Sequence, residues 1–379
     1  MKFELDDEQQ ELASVVARLL EARAPLRSVR DVIATDDGFN RTLWNEMGSE
    51  LGLFGLAVPE EYGGAGYSFV EQAVVTEEVG KVLLPGPYFS SALLATQVLL
   101  ASDDEDVKRT LLPEIVSGRR IATVAFQEDE RTWGFDTVAT TATSAGASLT
   151  LRGTKVAVAD ACHADVLLVS AMTESGVGIF AVERDADGVE VESLEPMDLT
   201  RPVSRVVFAD AVANSVSGSL NGTAVLGRAF DVAGIGLACE QVGAAKTALT
   251  MATQYAIERH QFDRPIGSFQ SIKHMLADVL LDNESAYSAA YYGAWSLDHQ
   301  PTEVVTVSSL ALAFATEALL SAAETNVQVH GGIGFTWEHD AHFIVRRALG
   351  SRQLLGPPDL HRDRIAAHLL ATAPGEVMV

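Results

Sequence analysis

One short stretch of the chain places a cation, an aromatic ring and an amide around a single turn. Arg259 ends a long helical pattern, Phe262 follows three residues later, and Gln270 begins the next helical pattern. The chain must turn between them, because Pro265 lacks the backbone N–H that a continuing helix needs. A guanidinium suits phosphate, and an aromatic ring can stack on a planar group. The stretch therefore favours an anionic, partly aromatic ligand such as a nucleotide, with an ordinary interhelical turn as the alternative.

Composition excludes several classes of protein. The chain has 379 residues, enough for two or three units with their own cores, and a net charge of −25. That charge argues against nucleic acid or an anionic membrane surface as the main partner. Cys162 and Cys239 are too few for a disulfide framework and predict buried thiols in a reducing cytoplasm. The acidic N-terminus is unlike a signal peptide. The sequence has no uncharged apolar run of about 18 residues, so no membrane span is expected.

The elements that must position this turn follow from the hydrophobic period. A helical pattern covers residues 5–24, where Asp6 or Asp7 can cap the helix, and helical periodicity continues to about residue 120. Short Val- and Ala-rich runs separated by turns then indicate a small antiparallel β-domain. Long helical patterns return at 230–258, 268–298, 302–329 and 360–371. We predict an α+β fold with a helical domain at 1–120, a β-domain at 121–224 and a C-terminal four-helix bundle at 225–379.

Three motifs in this order resemble the acyl-CoA dehydrogenase family along essentially the whole chain. They are GLFGLAVPEEYGGAG at 52–66, YAIERHQFDRPIGSFQSIKHMLADV at 255–279 and QVHGGIGFTWEHDAHFIVRRA at 328–348. The resemblance implies FAD as cofactor and an acyl-CoA thioester as substrate. A carboxylate base takes the α-proton while hydride leaves the β-carbon for the flavin, which gives a 2-enoyl-CoA. An electron-transfer flavoprotein is the implied electron acceptor.

In this family each FAD is shared between two subunits, and one of them holds the pyrophosphate and adenine side. The resemblance places the following residues there: Arg259, Phe262, Gln270, Gln328, His330, Gly331 and Gly332. The physical reading agrees, because glycines let the backbone approach an anion closely and a guanidinium supplies positive charge. The alternative for the glycines is a helix-terminating turn.

The flavin-ring side departs from the family pattern. A threonine–glutamate–proline stretch and a glycine–serine–aspartate are expected there, but residues 125–136 read AFQEDERTWGFD, with Gln127 in the place of the threonine. A tryptophan–isoleucine–threonine–asparagine run is expected next, and residues 157–160 read AVAD. The ring-covering tryptophan and the hydroxyl are therefore both absent from this chain.

Both positions that carry the catalytic glutamate in the family are apolar. Counting from the motifs places them at Leu355, before Gly356, and at Ala233. Gly234 stands where an arginine often contacts substrate, although Asp231 is retained nearby. Neither Leu355 nor Ala233 can take a proton, so the usual base is missing.

Other carboxylates could act as a displaced base. Glu240 lies two turns beyond Ala233 on the same predicted helix face, although a hydrogen-bond or salt-bridge residue is the simpler interpretation. Glu338 and Asp340 follow the glycine turn and more simply stabilise a helix N-terminus. No metal-ligand arrangement stands out.

These losses all fall on the substrate and flavin-ring side, and the phosphate side is retained. This resembles the base-lacking subunit of bacterial α2β2 acyl-CoA dehydrogenases, in which a companion chain completes the site, as in the breakdown of steroid side chains and other bulky CoA thioesters. We predict such a cytoplasmic subunit, without nucleic-acid partners. The alternatives are a self-sufficient homotetramer with a displaced base such as Glu240, and a non-catalytic paralogue that binds flavin or CoA.

Overall fold

The computed structural model describes residues 4–129, 133–135, 138–145, 148–218 and 221–372. The chain forms two compact units. A bundle unit comprises Met1–Arg27, Phe69–Leu84 and Gly234–Val379, and a sheet unit comprises Ser28–Ser68 and Pro85–Ala233.

The described residues form helices and strands that are numbered here in chain order. The helices are α1 (Asp7–Arg23), α2 (Val29–Ile33), α3 (Arg41–Asn45), α4 (Phe69–Lys81), α5 (Thr96–Ala101), α6 (Glu105–Val116), α7 (Gly222–Glu258), α8 (Gln270–His299), α9 (Val304–His330), α10 (Ala341–Leu354) and α11 (Pro358–Thr372). The strands are β1 (Ala122–Ala125), β2 (Thr141–Ala145), β3 (Ser148–Ala159), β4 (Val166–Thr173), β5 (Gly176–Glu183), β6 (Val189–Ser193), β7 (Val203–Ser215), β8 (His260–Gln261) and β9 (Arg264–Pro265).

In the bundle unit, the first helix begins where its sequence predicts. Asp6 accepts a hydrogen bond from the backbone N–H of Gln9 at 2.9 Å, and the Gln9 side chain accepts one from the N–H of Asp6 at 3.1 Å. This reciprocal capping box satisfies two N–H groups that the first helical turn leaves without partners. The prediction that Asp6 or Asp7 caps this helix is confirmed for Asp6.

Two glycines allow α4 and α7 to pack backbone against backbone. A Cβ on Gly80 would lie 2.0 Å from the carbonyl oxygen of Glu240, and a Cβ on Gly243 would lie 2.0 Å from that of Glu77. Only glycine fits at either contact, because real side chains do not approach a backbone so closely. The contact holds Glu77 and Glu240, both buried, in the interior of the bundle unit.

The sheet unit contains one seven-stranded sheet in the order β1-β4-β2-β3-β7-β5, with β6 on β7. A further pairing of β5 with β4 closes a ring of five strands. Most pairs are antiparallel, as predicted, but β1 runs parallel to β4 and β2 meets β4 in parallel at Thr141 and Met172. The parallel pairing is possible because the long connection from β1 to β4 includes the β2–β3 hairpin.

The predicted fold class is confirmed: helices come first, a β-domain lies in the middle and helices end the chain. Helix α10 was given no bounds in the sequence analysis, where the glycines at 331, 332 and 334 interrupt the helical pattern, although Glu338 and Asp340 were expected to stabilise a helix N-terminus there. The predicted domain boundaries at 120 and 224 stay predictions.

Two stretches in the described residues, Gly222–Glu258 and Val304–Phe335, are long and apolar enough to cross a membrane. Most of each apolar stretch, 72% and 56%, is buried inside the protein. Core helices of soluble proteins have the same length and composition, so these two stretches are only a weak indication of a span.

Candidate functional site

The turn that follows α7 is a strained two-residue hairpin. Strands β8 and β9 pair, and the two residues between them, Phe262 and Asp263, have φ angles of 54° and 61°. Consecutive positive φ angles define a type I′ turn, which normally selects glycine or asparagine. A bulky residue in this region is strained, and such strain is concentrated at functional positions. The Phe262 side chain is 86% exposed, so packing within this chain does not explain its conformation.

The glycine turn after α9 faces open space. Gly331 has φ 62°, and a Cβ added to Gly331 or Gly332 would meet no described atom within 4 Å. His330 is buried, and its Nδ1–H donates to the carbonyl oxygen of Asn326 at 2.8 Å. The turn is thus held from the inside by His330 and is accessible from the outside.

The structure brings these two turns together on one surface of the bundle unit. The rings of Tyr255 in α7 and His330 at the end of α9 lie 4.2 Å apart. Beneath them, Ala256 and Val329 form a buried apolar cluster against which Ile266 packs. The hairpin is held to α7 by a hydrogen bond from the Ile266 N–H to the carbonyl oxygen of Arg259, at 2.8 Å. The two sequence motifs therefore form one continuous surface.

Three polar side chains on this surface are available to a ligand. Arg259, Gln270 and Gln328 are exposed, and within the described part of the chain their side chains make no hydrogen bond or ion pair. Arg264 differs, because its guanidinium lies 4.0 Å from the centre of the Phe269 ring. A free guanidinium suits a pyrophosphate, because it offers charge and donors without first breaking an internal pair.

On the sheet unit, the ring-side segment retains a backbone irregularity but not the expected side chains. The pairing of β3 with β7 shifts between Lys155 and Val158, and Ala157 has φ 50°. This is a β-bulge, and bulges re-aim side chains next to active sites. The bulge presents only the methyl group of Ala157, which is exposed and cannot cover a flavin ring. A flavin ring placed against this segment would therefore lack the cover that a tryptophan provides.

Asp160 ends the same segment and is already engaged. Its carboxylate is fully buried and accepts a hydrogen bond from the Ser90 hydroxyl at 2.6 Å. The carboxylate also lies 3.7 Å from Nδ1 of His163. Burial opposes protonation of His163, but Asp160 and Cys162 outweigh it and raise the pKa of His163 to about 9. Asp160 thus takes part in an internal ion pair.

A buried lysine joins the two ring-side segments. Lys155 in β3 is fully buried, and its ammonium donates to Glu128 at 2.7 Å and to Ser170 at 3.0 Å. Burial lowers the pKa of Lys155 to about 8, although Glu128 favours the charged form. The backbone of Gln127 also accepts a hydrogen bond from the Val156 N–H at 2.8 Å. Residues 130–132 and 136 of the 125–136 stretch lie outside the described residues.

The structure places apolar side chains at both usual base positions. Leu355 and Ala233 are buried. The loop at Leu355 is fixed by the buried His361, whose Nε2–H donates to the Leu355 carbonyl oxygen at 3.0 Å. Burial, together with the charge of Arg364, lowers the pKa of His361 to about 4, so this imidazole is neutral near pH 7.

The weak candidate Glu240 lies in a buried ion pair. Its carboxylate is hydrogen bonded to the guanidinium of Arg347, and both side chains are 2% exposed or less. A carboxylate in this position must break a buried pair before it can reach a substrate proton, which favours the structural interpretation. Glu338 is exposed, and Asp340 precedes the first turn of α10.

Two features were not anticipated from the sequence. Nothing in the residue types indicates the left-handed backbone at Phe262 and Asp263. The Lys155–Glu128 pair had a weak signal, since a lysine within the Val- and Ala-rich strand KVAVAD must find an acceptor if it is buried. Among the described residues, no cluster of His, Cys, Asp and Glu could hold a metal ion.

The fold and these motifs define the class of protein: the chain belongs to the acyl-CoA dehydrogenase family. Residues 6–119 match the family described as Acyl-CoA dehydrogenase, N-terminal domain, and residues 221–370 match Acyl-CoA dehydrogenase, C-terminal domain. The predicted cofactor, FAD, is the cofactor of this family of flavoprotein oxidoreductases. The prediction that the chain resembles this family is confirmed.

Particular relatives are similar over nearly the whole length. Acyl-CoA dehydrogenase IpdE2 from Mycolicibacterium smegmatis is 32% identical over 365 residues, which is 96% of this chain and 100% of the relative. The ChsE4–ChsE5 complex from Mycobacterium tuberculosis contains a chain that is 29% identical with a TM-score of 0.88, covering 99% of this chain and 100% of that one. The Tcur3481–Tcur3483 steroid ACAD contains a chain that is 28% identical with a TM-score of 0.87, covering 96% and 98%.

Proposed function

We propose that this chain is the base-lacking subunit of a heteromeric acyl-CoA dehydrogenase and supplies the pyrophosphate and adenine side of a shared FAD site. The observation that carries the proposal is the asymmetry of its two half-sites. On the bundle unit, Arg259, Gln270 and the open turn at Gly331 and Gly332 are free for a ligand. On the sheet unit, Ala157 stands where a tryptophan is expected.

The roles of this chain's residues follow from their chemistry. Arg259 and the glycine turn would bind the pyrophosphate, Phe262 would pack against the adenine end, and Gln270 and Gln328 would donate or accept hydrogen bonds. When bound, FAD accepts the hydride that leaves the acyl group. The α-proton goes to a carboxylate of the companion chain, because Leu355 and Ala233 cannot accept one.

The surface of the bundle unit supports a role in assembly. Side chains around the two turns and on α8 and α9 are apolar and exposed: Ile257, Phe262, Leu281, Phe314, Phe335 and Trp337. Exposed apolar side chains that form a contiguous patch mark a surface that another protein covers. We propose that the companion subunit covers them in an α2β2 complex.

The similarity to a steroid ACAD and to a two-chain complex supports a bulky acyl-CoA, such as a steroid CoA thioester, as the substrate class. We propose electron-transfer flavoprotein as the electron acceptor, in keeping with the family. We propose the cytoplasm as the location, because two cysteines are too few for a disulfide framework.

Expression of the chain with and without a companion dehydrogenase chain tests the proposal. Alone, the protein should bind little flavin by its visible spectrum, and steroid CoA thioesters should not bleach it. With the companion, flavin and bleaching should both appear. Full flavin and bleaching by the chain alone would instead support a homotetramer. Flavin without bleaching, even with the companion, would favour the non-catalytic paralogue.

A further inference from the structure

The sheet unit contains a groove of about 530 Å³ between α6 and the strands β4, β5 and β7. In the described residues β5 and β7 pair at only two positions, and one of them, Ala181 opposite Asn214, borders the groove. The two strands therefore separate beyond Ala181, and the groove lies where they separate. Every residue that lines it belongs to the sheet unit. Its volume is within the range of ligand sites.

The lining of the groove is mainly aliphatic. Leu111 from α6 and Val166 from β4 are buried there, and Val107 from α6 is half-buried. Val212 on β7 differs from them, because it is 56% exposed. A branched aliphatic residue with this exposure, in a groove whose other aliphatic residues are covered, leaves apolar surface that a ligand can remove from water.

The charged residues of the lining leave one carboxylate uncompensated. Arg120 donates a hydrogen bond to Glu183, so these two charges balance each other. Asp106 on α6 is exposed, and its carboxylate makes no hydrogen bond or ion pair within the described part of the chain. A cation that enters the groove can therefore pair with Asp106 without breaking an internal contact.

The connection from β5 to β6 adds negative charge on another side of the groove. It borders the groove at Ala186, and the exposed residues Asp185 and Asp187 lie on either side of that alanine in the sequence. Neither carboxylate has a hydrogen bond or ion pair among the described residues, and Arg184 is the one cation of the connection. The resulting field disfavours an anion and favours a ligand with more than one positive charge.

We propose that this groove docks a basic, apolar segment of a partner protein. One lysine or arginine of the segment pairs with Asp106, and a second faces the carboxylates of the β5–β6 connection. Between them, an aliphatic or aromatic side chain covers Val212 and the buried aliphatic residues. The Asn214 amide is exposed and makes no side-chain hydrogen bond within the described residues, so it can bond the backbone of the segment. A segment suits carboxylates on two sides better than a small cation, which has only one charge to place.

A peptide of sequence KLFLK, acetylated and amidated at its ends, is the probe, and the charge-inverted peptide ELFLE is its control. Each is titrated into the full-length chain, and ligand-observed NMR gives the Kd. KLFLK should bind at least about tenfold more tightly than ELFLE, and added salt should weaken its binding. Phenethylammonium, which joins one cation to one ring, should bind more weakly than KLFLK by about tenfold or more.

Two variants locate the binding in the groove. Asp106→Asn should weaken KLFLK binding by about two- to fivefold, which is the effect of one exposed ion pair. Val212→Ser should also weaken it severalfold, because it removes apolar surface. Glu50→Gln is the matched control, because Glu50 is an exposed carboxylate of the same unit that does not line the groove, and it should leave binding unchanged. Thermal unfolding of each variant shows that it remains folded.

Several results would overturn the proposal. Equal binding of KLFLK and ELFLE would remove the selection for positive charge, and absence of KLFLK binding would remove the site. Equal loss in Asp106→Asn and Glu50→Gln would mean that the general negative charge of the chain attracts the peptide. Phenethylammonium binding as tight as that of KLFLK would indicate a small-cation site in place of a docking groove. Displacement of KLFLK by the companion chain would assign the groove to subunit assembly. None of these measurements uses flavin, so their outcome is independent of the proposed function.

Discussion

At the scale of single residues, Arg259 is the side chain for which we expect the largest contribution to FAD binding. Its guanidinium is exposed and makes no ion pair or hydrogen bond within the described residues. Arg259 therefore does not have to break a bond within the chain before it pairs with a phosphate. Hydrogen bonds to charged groups contribute about 1.5–3 kcal/mol each.

We expect Arg259→Gln to weaken FAD binding by the assembled complex by roughly 10- to 100-fold, which corresponds to that free energy. The measurement is FAD titration into the apo complex, followed by flavin fluorescence. Arg264→Gln is the matched control, because Arg264 is an exposed cation on the same hairpin that stacks on Phe269. Equal weakening by both variants would mean that general charge, rather than a phosphate contact, attracts the cofactor.

Variants of the Glu240–Arg347 pair test whether Glu240 is a structural carboxylate or a displaced base. Arg347→Met removes the guanidinium that faces the buried carboxylate of Glu240, and breaking such a pair costs about 3–5 kcal/mol in the free energy of unfolding. The double variant Glu240→Leu with Arg347→Met should recover much of that loss, since no unpaired charge remains. Urea unfolding measures both effects.

Activity then decides the role of Glu240. Glu240→Gln in the assembled complex should retain its rate of flavin bleaching by substrate, because the amide still hydrogen bonds to Arg347. Loss of several orders of magnitude in that rate, in a complex that remains folded, would identify Glu240 as the base and refute the two-subunit proposal.

At the scale of elements, the β8–β9 hairpin holds two residues in a conformation that glycine adopts more easily. Phe262 and Asp263 have φ angles of 54° and 61°. The left-handed conformation costs a residue with a side chain roughly 1–2 kcal/mol. The cost is smaller for Asp than for Phe, because the short polar side chain of Asp can hydrogen bond locally. Phe262 therefore carries most of the strain, in a position where its ring is 86% exposed.

We expect Phe262→Gly to stabilise the chain by up to about 1 kcal/mol in urea unfolding and to weaken FAD binding at the same time. Asp263→Gly should give a smaller gain in stability and leave FAD binding unchanged. If Phe262→Gly destabilised the chain, or bound FAD as tightly as the unaltered protein, the ring would serve packing rather than the cofactor.

Two histidines give the two units opposite responses to pH. The folded pKa of His361 is about 4, below its unfolded value near 6.5, so its contribution to stability falls as pH drops from about 6.5 to 4. The folded pKa of His163 is about 9, so its contribution is full below about 6.5 and is lost as pH rises through 9.

Substitution of each histidine tests these signs. His361→Gln should flatten the acid side of the stability curve between pH 4 and 6.5, and His163→Gln should flatten the alkaline side up to pH 9. Thermal unfolding across this range gives both. If the two variants affected the same side of the curve, the environments assigned to His163 and His361 would be wrong.

The sequence predicted elements well where the determining signal is local. The cap at Asp6 and the long helices α7, α8 and α9 follow from side chains within a few turns of each other. The extent of helix α10 was missed, since its start follows three glycines closely. The parallel pairing of β1 with β4 was also missed, because it depends on residues about 44 apart, such as Ala122 and Val166. The backbone of Phe262 and the internal pairs of Asp160 and Lys155 depend on tertiary packing, which no local pattern contains.

At the scale of the whole molecule, the sequence alone was enough to predict the family and the residues of its motifs, because the motifs are short and contiguous. What the altered ring-side motifs mean for function could only be stated as an expectation, because it concerns a second polypeptide. The structure adds physical reasons to those expectations. The free guanidinium of Arg259 contrasts with the ring-side segment of the sheet unit, where Asp160 and Lys155 are already paired internally.

Cofactor stoichiometry follows from this asymmetry. If each chain of this kind supplies only the phosphate side, and each companion chain supplies the ring side and the base, an α2β2 complex contains one FAD for each pair of chains. A homotetramer with four complete sites would contain one FAD for each chain. Flavin released by heat from the purified complex, divided by the chain concentration from amino-acid analysis, distinguishes the two. Arg259→Gln in this chain alone should then weaken FAD binding at every site of the complex, because no other chain contributes that contact. Half of the sites retaining their original affinity would mean that the companion chain carries a phosphate side of its own.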